Sequence, residues 1–499
     1  DYLDDLTVDS GQGRTSLKGD VEDVFSIREV TQSFYQDFGE IFREDLQDAI
    51  HGLVDPGENL NAYTRTVVNR VLFLLFIEEK GWLDGDVDYV ENKYEEVAEE
   101  PDMHVYDDFF EPLFFEALSE EETTESDTLG RIPFLNGGLF ERKDIEEDVK
   151  IDEAFFDKLL SPEDGNNGEP VGFLRRYKIS LRESNPSEQE LVVDPEFIGR
   201  IFEMFMQEAE REEKGTFYTP KPITEYMAKN ALKQYLLEDF DDYEETVIDL
   251  VGSHTPPTEL KTETVQDMRD KITSVQVVDP AVGSGAFIIA MSEELVAIAE
   301  ALTDGLDDDI NRFELKKQFI RDSLYGVDID SGGIELCKFR VWLYLIQDLH
   351  ISIDDFLEQN DKFALPNLGL KFFVGNSLVG DYEPTELRDT LRGGDYQGSL
   401  SGNYDSEGLI EKIATLRQDY VNAHSEEKQE VYTELKRLTD ELDNKISWES
   451  SEHWMTEPVD ELGNSEPFKW SINVPEVILE GGFDIVIGNP PYKGGTNPD

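Results

Sequence analysis

The sequence predicts an α/β protein in which a large helical region precedes a parallel sheet that a helical insertion interrupts. Three observations support this fold class. Residues 1 to about 210 read mainly as helices. From residue 275 onward the pattern repeats strand, then glycine or acid, then helix, which is typical of parallel βα units. Between the third and fourth of these strands, apolar residues recur at helical spacing.

Two segments carry the prediction of the helical region. The strongly apolar segment 67–82 ends in Glu78-Glu79-Lys80-Gly81, a sequence typical of a helix C-terminus. A second helix is predicted over 195–213. It leads directly into the short motif at 215–220, after which the sheet region begins.

Four strands are predicted for the sheet, at 275–279, 324–328, 371–375 and 483–488. Each strand delivers polar residues at its carboxyl end. Open parallel sheets bind their ligands at that edge, so we expect the functional groups to gather there.

The insertion is predicted to form two amphipathic helices, arranged as a hairpin that packs on the sheet or projects from it. A Gly/Ser-rich passage, 392–408, precedes the first helix. The apolar positions of the two helices are Leu409, Ile413, Leu416 and Tyr420, then Val431, Leu435, Leu438 and Leu442.

The charge of the chain is strongly negative, with 44 basic and 112 acidic residues and a formal net charge of −68. Acidic residues are spread along the whole sequence, which favours an adaptation of the surface to molar salt over a single acidic tail. We therefore predict a halophilic, haloarchaeal source. Such salt reduces the Debye length to roughly 3 Å, so the acidity does not exclude a nucleic-acid partner.

The single cysteine, Cys337, lies in an apolar stretch and excludes an internal disulfide. We expect a buried thiol there.

No apolar run reaches transmembrane length, and the first residues are unlike a signal peptide, so a cytoplasmic location without a membrane partner is predicted. The chain lacks an initiator Met and stops shortly after Tyr492, so we expect a piece of a longer product.

The tetrapeptide Asn489-Pro490-Pro491-Tyr492 ends the last predicted strand and suits chemistry on a planar exocyclic amine. The Asn489 amide oxygen and the Pro490 carbonyl can accept the two amine hydrogens, and Tyr492 offers a ring face for a base to stack on. Pro490 and Pro491 hold the turn rigid. The alternative is an ordinary strand-to-turn exit, where Asn and Pro are common.

A glycine-rich turn, 279–287, follows the first strand and opens a helix. The small residues Ala281, Gly283 and Gly285 let the backbone approach a ligand closely. The turn lacks the third glycine of a dinucleotide fingerprint and the Gly-Lys-Ser/Thr of a Walker A loop. Phosphate binding is therefore disfavoured.

Acidic and amide side chains follow the second and third strands. Asp328 can accept hydrogen bonds from both hydroxyls of a ribose. Asp330 or Ser331 suits the N-cap of the next helix, and we assign this role to Asp330. Asn376 is a candidate for a hydrogen bond to the edge of an adenine ring. The six His and one Cys show no metal-ligand spacing, so no metal site is expected.

Together, the ordered motifs resemble the gamma-class adenine-specific DNA methyltransferases. These motifs are 215–220, 279–287, 326–330, 375–378 and 489–492. Three further stretches, 26–35, 133–140 and 467–470 with 475–477, resemble the type IIG restriction-modification enzymes and the PglX-like methyltransferase of BREX phage defence. The resemblance covers nearly the whole chain.

The resemblance implies a Rossmann-like class I sheet that binds S-adenosylmethionine. The partners that it implies are double-stranded DNA with a flipped adenine and other defence-system subunits. It implies a helical N-terminal domain (1–210), a first methyltransferase part (211–380), a helical insertion (381–470) and a catalytic strand (471–499). Thr216, Phe217, Tyr218 and Pro220 would line the methionine end of the cofactor; Asp279, Ala281, Gly283 and Gly285 would form the turn beneath it. Asp328 would hold the ribose, Asn376 the cofactor adenine, and Asn489, Pro490 and Tyr492 the target adenine.

Two departures from the family pattern stand out. Val282 occupies a position where the family commonly has Cys, and the chain ends before the later strands and the target-recognition domain. Three alternatives stay open at this point. They are a methyltransferase acting on another planar amide, a non-catalytic DNA-binding or defence-complex subunit with a remnant domain, and a structural α/β protein with coincidental motifs.

Overall fold

The computed structural model describes residues 34, 36–119, 124–126, 128–135, 138–162, 171–176, 219–306, 311–359, 363, 365–378, 406–423, 425–449 and 468–490. Several predictions from the sequence lie outside these residues. They concern the helix at 195–213, most of the stretch 26–35, and the side chains of Thr216, Phe217, Tyr218, Pro491 and Tyr492.

The α-helices of the described residues are, in chain order, α1 (Leu46–Ala49), α2 (Pro56–Glu79), α3 (Tyr89–Ala98), α4 (Glu153–Leu160), α5 (Phe173–Arg176), α6 (Lys221–Leu237), α7 (Glu244–Ser253), α8 (Thr262–Thr273), α9 (Ala286–Asp304), α10 (Arg312–Asp322), α11 (Ser331–Gln347), α12 (Ile353–Glu358), α13 (Ser406–Asn422), α14 (Ser425–Glu449), α15 (Trp470–Asn473) and α16 (Pro475–Glu480). Wider helical turns of the π type cover Glu40–Asp45, Val105–Phe110 and Leu113–Ala117. Short 3-10 turns cover Asp144–Glu146 and Asp241–Tyr243.

The strands are β1 (Ile50–His51), β2 (Thr124–Ser126), β3 (Gly130–Ile132), β4 (Lys150–Ile151), β5 (Val277–Asp279), β6 (Leu324–Asp328), β7 (Phe372–Val374) and β8 (Ile485–Val486). β1 pairs with β4 and β2 with β3, both antiparallel. The other four strands form one parallel sheet with the order β7-β6-β5-β8. The fold is therefore of mixed α/β type and mostly helical.

The chain divides into two compact units. The first contains residues 1–135, 139–208 and 350–363, and the second contains 136–138, 209–349 and 364–499. The segment 350–363 thus belongs to the first unit, although the sequence reading counted it with the sheet region.

The first unit is built around α2 and a core of aromatic side chains. α2 ends at Glu79 with Lys80 as its C-cap, which confirms the helix end predicted at 78–81. Arg70, on the buried face of α2, forms an ion pair with the buried Glu146 at 3.0 Å and donates to the Leu139 carbonyl at 2.9 Å. Burial raises the pKa of the Glu78 carboxyl to about 8. These buried polar contacts join α2 to the loops that surround it.

The parallel sheet of the second unit confirms the four predicted strands, each within the predicted range. β5 aligns Val277 with Leu324 of β6 and with Ile485 of β8. β8 comprises only two residues, whereas the sequence predicted six. Among the described residues β8 pairs with β5 alone, and only Ile485 and Val486 of its apolar run have partners in that ladder.

The insertion forms the two predicted helices, α13 and α14, which pack against each other and against the sheet region. Their buried residues, including Leu409, Leu438 and Leu442, form a cluster with Ile472 of α15. Arg417 of α13 donates to the Leu370 carbonyl at 2.8 Å. The hairpin is therefore packed on the sheet domain by both apolar and polar contacts.

Two further expectations concern Cys337 and membranes. Cys337 lies in α11 with a fully buried side chain, as predicted, and burial raises the pKa of its thiol. Across the helices that the structure describes, no apolar stretch is long enough to cross a bilayer.

Candidate functional site

The glycine-rich turn connects β5 to α9 at the carboxyl edge of the sheet. Its backbone turns through two left-handed positions, Gly283 with φ +48° and Gly285 with φ +82°. The Val282 N–H donates to the Val327 carbonyl at 2.9 Å, which ties the turn to β6. A Cβ at Gly285 would lie 2.6 Å from the Cys337 Sγ. Gly285 is therefore required for two reasons, its backbone conformation and the close approach of α11.

Replacing Gly285 with alanine is expected to destabilise the sheet region by about 2–3 kcal/mol, because the new methyl group meets Cys337 in a backbone conformation that L-residues rarely adopt. Denaturant unfolding measures the loss. Gly252→Ala is the matched control, since a Cβ at Gly252 meets nothing within 4 Å. Cys337→Ala should recover part of the loss in the double variant; equal stability of Gly285→Ala and Gly252→Ala would contradict the prediction.

Arg340 of α11 also holds the turn, and the sequence analysis missed it. Its buried guanidinium donates through Nη1 to the Ser284 carbonyl at 2.9 Å and to the Ser284 hydroxyl at 3.0 Å. An arginine within the apolar stretch around Cys337 was the available signal, because a buried cation requires acceptors. α11 therefore supports the turn through both a charged and a thiol side chain.

Asp328, at the end of β6, bridges the second strand and the turn. Its Oδ2 accepts the Gly283 N–H at 2.8 Å, and its Oδ1 accepts the Asp330 N–H at 2.8 Å. Asp330 accepts the Gly333 N–H at 3.1 Å and is the N-cap of α11, which confirms its predicted role. Ile329, between the two acids, is 48% exposed and presents an apolar surface beside Asp328.

Asp279, at the end of β5, is fully buried beneath the turn. Its Oδ1 accepts the Ala281 N–H at 3.0 Å, whereas its Oδ2 has no hydrogen-bond partner among the described residues. Burial raises the pKa of the carboxyl to about 7; the Asp328 charge adds to the rise, and the Ala281 N–H opposes it. The site therefore contains a buried carboxylate with one oxygen directed at no protein donor in the described part of the chain.

The raised pKa of Asp279 predicts a pH dependence of stability. The unfolded chain releases this proton near pH 4 and the folded chain near pH 7, so the unfolding free energy falls as the pH rises between these values. Unfolding at pH 5 and pH 8 measures the effect. The unfolding free energy of Asp279→Asn, relative to that of the unmutated protein, should rise by about 2–3 kcal/mol between pH 5 and pH 8. Parallel pH profiles for the two proteins would contradict this assignment.

The turn after β7 carries Asn376 and Ser377. The Ser377 hydroxyl donates to the Pro280 carbonyl at 2.7 Å, which connects this turn to the glycine-rich one. The Asn376 amide oxygen accepts the Leu378 N–H at 3.1 Å. The segment after the insertion packs here, with the Phe468 N–H donating to the Asn376 carbonyl and the Trp470 indole to the Ser377 carbonyl. Thus Phe468 and Trp470 border the candidate site.

Asn489 and Pro490 leave β8 at the same edge of the sheet. Gly488, just before them, lies against Asp279, since a Cβ there would be 2.5 Å from the Asp279 Oδ1. The exposed Asn489 side chain donates through Nδ2 to the Thr219 hydroxyl at 3.1 Å. The sequence analysis named the neighbouring Pro220 but not Thr219.

The carboxyl edge therefore brings together Asp279, Asp328, Asn376 and Asn489, one from the end of each parallel strand. A separate cavity of about 560 Å³ lies among α9, α10 and α11 and contains none of the predicted site residues. It is lined by charged side chains, among them His254, Glu294, Glu300, Arg312 and Asp348. We place the candidate site at the strand ends, where the polar groups and the glycine turn converge.

Two DNA methylase family models match this part of the chain. The model of the N-6 DNA Methylase family matches residues 193–371. The model of the Eco57I restriction-modification methylase family matches residues 322–498. The first match contains the glycine turn and Asp328, and the second contains Asn376 and Asn489. The two matches therefore span every described strand end of the candidate site.

Curated relatives agree with these matches. A Methanocaldococcus jannaschii protein named "Putative type II restriction enzyme and methyltransferase" is 28% identical over 87% of this chain and 41% of its own length. The adenine-specific methyltransferase PglX of Streptomyces coelicolor is 24% identical over 44% of the chain, and BrxX of Escherichia coli is 25% identical over 48%. The chain spans 41%, 12% and 17% of these three relatives.

Among solved structures, the type IIL restriction-modification enzyme MmeI in complex with DNA is similar to this chain with a TM-score of 0.46 and 15% identity. The alignment covers 78% of this chain and 48% of that one.

Proposed function

We propose that the protein is a site-specific DNA adenine N6-methyltransferase that uses S-adenosylmethionine. The observation that carries this proposal is the position of Asn489 and Pro490, which leave β8 beside the buried Asp279 and the glycine-rich turn. The matches to two DNA methylase families and to adenine-specific methyltransferases support it.

The described residues fit S-adenosylmethionine. A Cβ at Gly283 would meet nothing within 4 Å, so the turn is open at that position, and the buried Asp279 Oδ2 has no donor in the described part of the chain. The Asp328 carboxylate lies at the end of β6 beside the turn, and its oxygens are acceptors of the kind that suit ribose hydroxyls. Two carboxylates also favour a cationic ligand over a phosphate.

Other residues complete the proposed cofactor site. Asn376 would contact the adenine through its NH₂ group, because its amide oxygen already accepts the Leu378 N–H. Thr216, Phe217, Tyr218 and Pro220 would line the methionine end. Of these, only Pro220 lies within the described residues, as the N-cap of α6.

Asn489 and Pro490 carry the catalytic part of the proposal. A flipped adenine would donate its two N6 hydrogens to the Asn489 Oδ1 and the Pro490 carbonyl. These acceptors draw the amine towards tetrahedral geometry and disperse the positive charge that develops during attack. When bound, S-adenosylmethionine supplies the methyl group, whose C–S bond breaks with its electrons left on sulfur as the N–C bond forms and one amine proton leaves for water. Pro491 would hold the turn, and Tyr492 would stack on the base.

The finer assignments belong to the same proposal. We assign the protein to the gamma class, with a Rossmann-like class I sheet, and the four domains to 1–210, 211–380, 381–470 and 471–499. Its partners would be double-stranded DNA and other subunits of a restriction-modification or BREX-type defence system. A halophilic source and a cytoplasmic location complete the assignment.

Methyl transfer in molar KCl tests the proposal. The protein is incubated with unmodified DNA and S-adenosylmethionine, and the nucleosides are analysed by mass spectrometry for N6-methyladenine. The modified base is expected with the unmutated protein, and with Asn489→Ala it should form about a thousandfold more slowly. Cofactor binding without any methylated base would indicate a different planar amide or a partner-dependent complex, and loss of cofactor binding as well would indicate a remnant domain.

A further inference from the structure

Thr219 and Asn489 meet through a single hydrogen bond, although they are 270 residues apart in the chain. The Asn489 Nδ2 donates to the Thr219 Oγ1 at 3.1 Å. Both belong to the second compact unit. Thr219 is half-buried, whereas Asn489 is exposed.

Both residues are held by restrained backbone. Thr219 precedes Pro220, the N-cap of α6, and a second proline, Pro222, follows in the first turn of that helix. The Pro220 carbonyl accepts the Ile223 N–H at 2.9 Å. Asn489 precedes Pro490 in the same way, and a residue before proline is confined to extended conformations. Neither partner can move far by backbone rotation alone.

The direction of this bond decides what Asn489 presents to a ligand. An amide has a donor branch and an acceptor branch, and the terminal torsion of Asn is close to two-fold. Because the NH₂ branch is bound to Thr219, the Oδ1 branch points away from it. Rotation by 180° would present donors to an amine that itself donates two hydrogens, which would abolish the contact.

We infer that Thr219 is a positioning residue for methyl transfer, whose hydroxyl keeps the Asn489 amide in the orientation that accepts the target amine. This inference rests on the proposed methyltransferase function. Thr219 itself touches neither the reacting nitrogen nor the methyl group; it acts through Asn489.

Removing the hydroxyl tests the inference. Thr219→Val is expected to lower kcat roughly three- to tenfold, the fold-change that corresponds to one hydrogen bond. KM for DNA and the Kd for S-adenosylmethionine should stay within about twofold, and Thr219→Ser should restore kcat. Thr224→Val is the matched control, since it removes a hydroxyl from the first turn of α6 that donates to the Lys221 carbonyl and not to Asn489. Equal losses in cofactor binding and kcat would overturn the positioning role.

A second background separates orientation from a merely structural role. In Asn489→Asp the side chain has two equivalent oxygens, so a 180° rotation changes nothing. Thr219→Val should then alter the residual single-turnover rate by less than about twofold. The same loss in both backgrounds would mean that Thr219 supports the fold of the turn and does not orient the amide.

A readout that does not depend on activity distinguishes this inference from the proposed function. With ¹⁵N-asparagine labelling, the Asn489 NH₂ resonances are identified by their loss in Asn489→Asp. Thr219→Val should shift them and speed their hydrogen exchange, while Thr224→Val leaves them in place. Unchanged resonances in Thr219→Val would overturn the inference even in an active enzyme; a shift in a protein that transfers no methyl group would leave the contact established and refute the function on which its role depends.

Discussion

Replacing Asn489 with alanine is expected to lower methyl transfer about a thousandfold and to leave the affinity for S-adenosylmethionine within about twofold of the unmutated protein. The magnitude follows from the loss of a preorganised group that acts on charge developing in the transition state. Asn489 lies just beyond β8, and its one described side-chain hydrogen bond goes to Thr219. The cofactor contacts proposed for Asp279 and Asp328 are separate from it.

Single-turnover transfer and equilibrium binding of the cofactor measure the two effects in the same preparations. Asn230→Ala is a matched control, because Asn230 lies on α6 and its amide donates to the Tyr226 carbonyl of the same helix. The control should retain full activity. A parallel loss of cofactor affinity and transfer in Asn489→Ala would show that Asn489 belongs to the cofactor site and would refute its catalytic assignment.

Replacing Asp328 with asparagine is expected to weaken cofactor binding roughly a hundredfold. The Asp328 Oδ2 accepts the Gly283 N–H, and the Oδ1 accepts the Asp330 N–H. An amide has only one oxygen, so its NH₂ group must oppose one of these N–H donors. The variant therefore loses one of these two bonds, either to Gly283 or to Asp330, as well as a charged acceptor for the ribose.

Calorimetric titration with S-adenosylmethionine measures this loss without any need for turnover. Asp330→Asn is the matched control, since Asp330 serves as the N-cap of α11 and asparagine is as good a cap as aspartate. We expect less than about a threefold change in the control. Similar affinities for the two variants would exclude Asp328 from the ribose site.

The strand ends were predictable because they depend on short stretches of sequence. An apolar run followed by a turn residue defines a buried parallel strand, and all four such runs form the sheet. The N-cap of α11 was equally local, since Asp330 bonds to an N–H three residues ahead. The hairpin helices followed from the spacing of their apolar positions.

The supporting contacts of the site were not predictable in the same way. Arg340 reaches Ser284, Trp470 reaches the Ser377 carbonyl, and Asn489 reaches Thr219. Each pair is far apart in the sequence and meets only because helices and strands pack. A single sequence offers a weak signal at most, such as a charge in an apolar helix.

The sequence by itself determined the order of the strands along the chain, the polar residue that ends each of them, the cap of α11 and the helical hairpin. These features depend on backbone preferences and on periodicity, which neighbouring residues set. The tertiary structure alone decided that Asp279 is fully buried with a raised pKa, that Asp328 holds the glycine turn through Oδ2, and that the Asn489 amide faces Thr219. Burial and hydrogen-bond partners depend on segments that only folding brings together, so residue type could name the candidates but could not assign their surroundings.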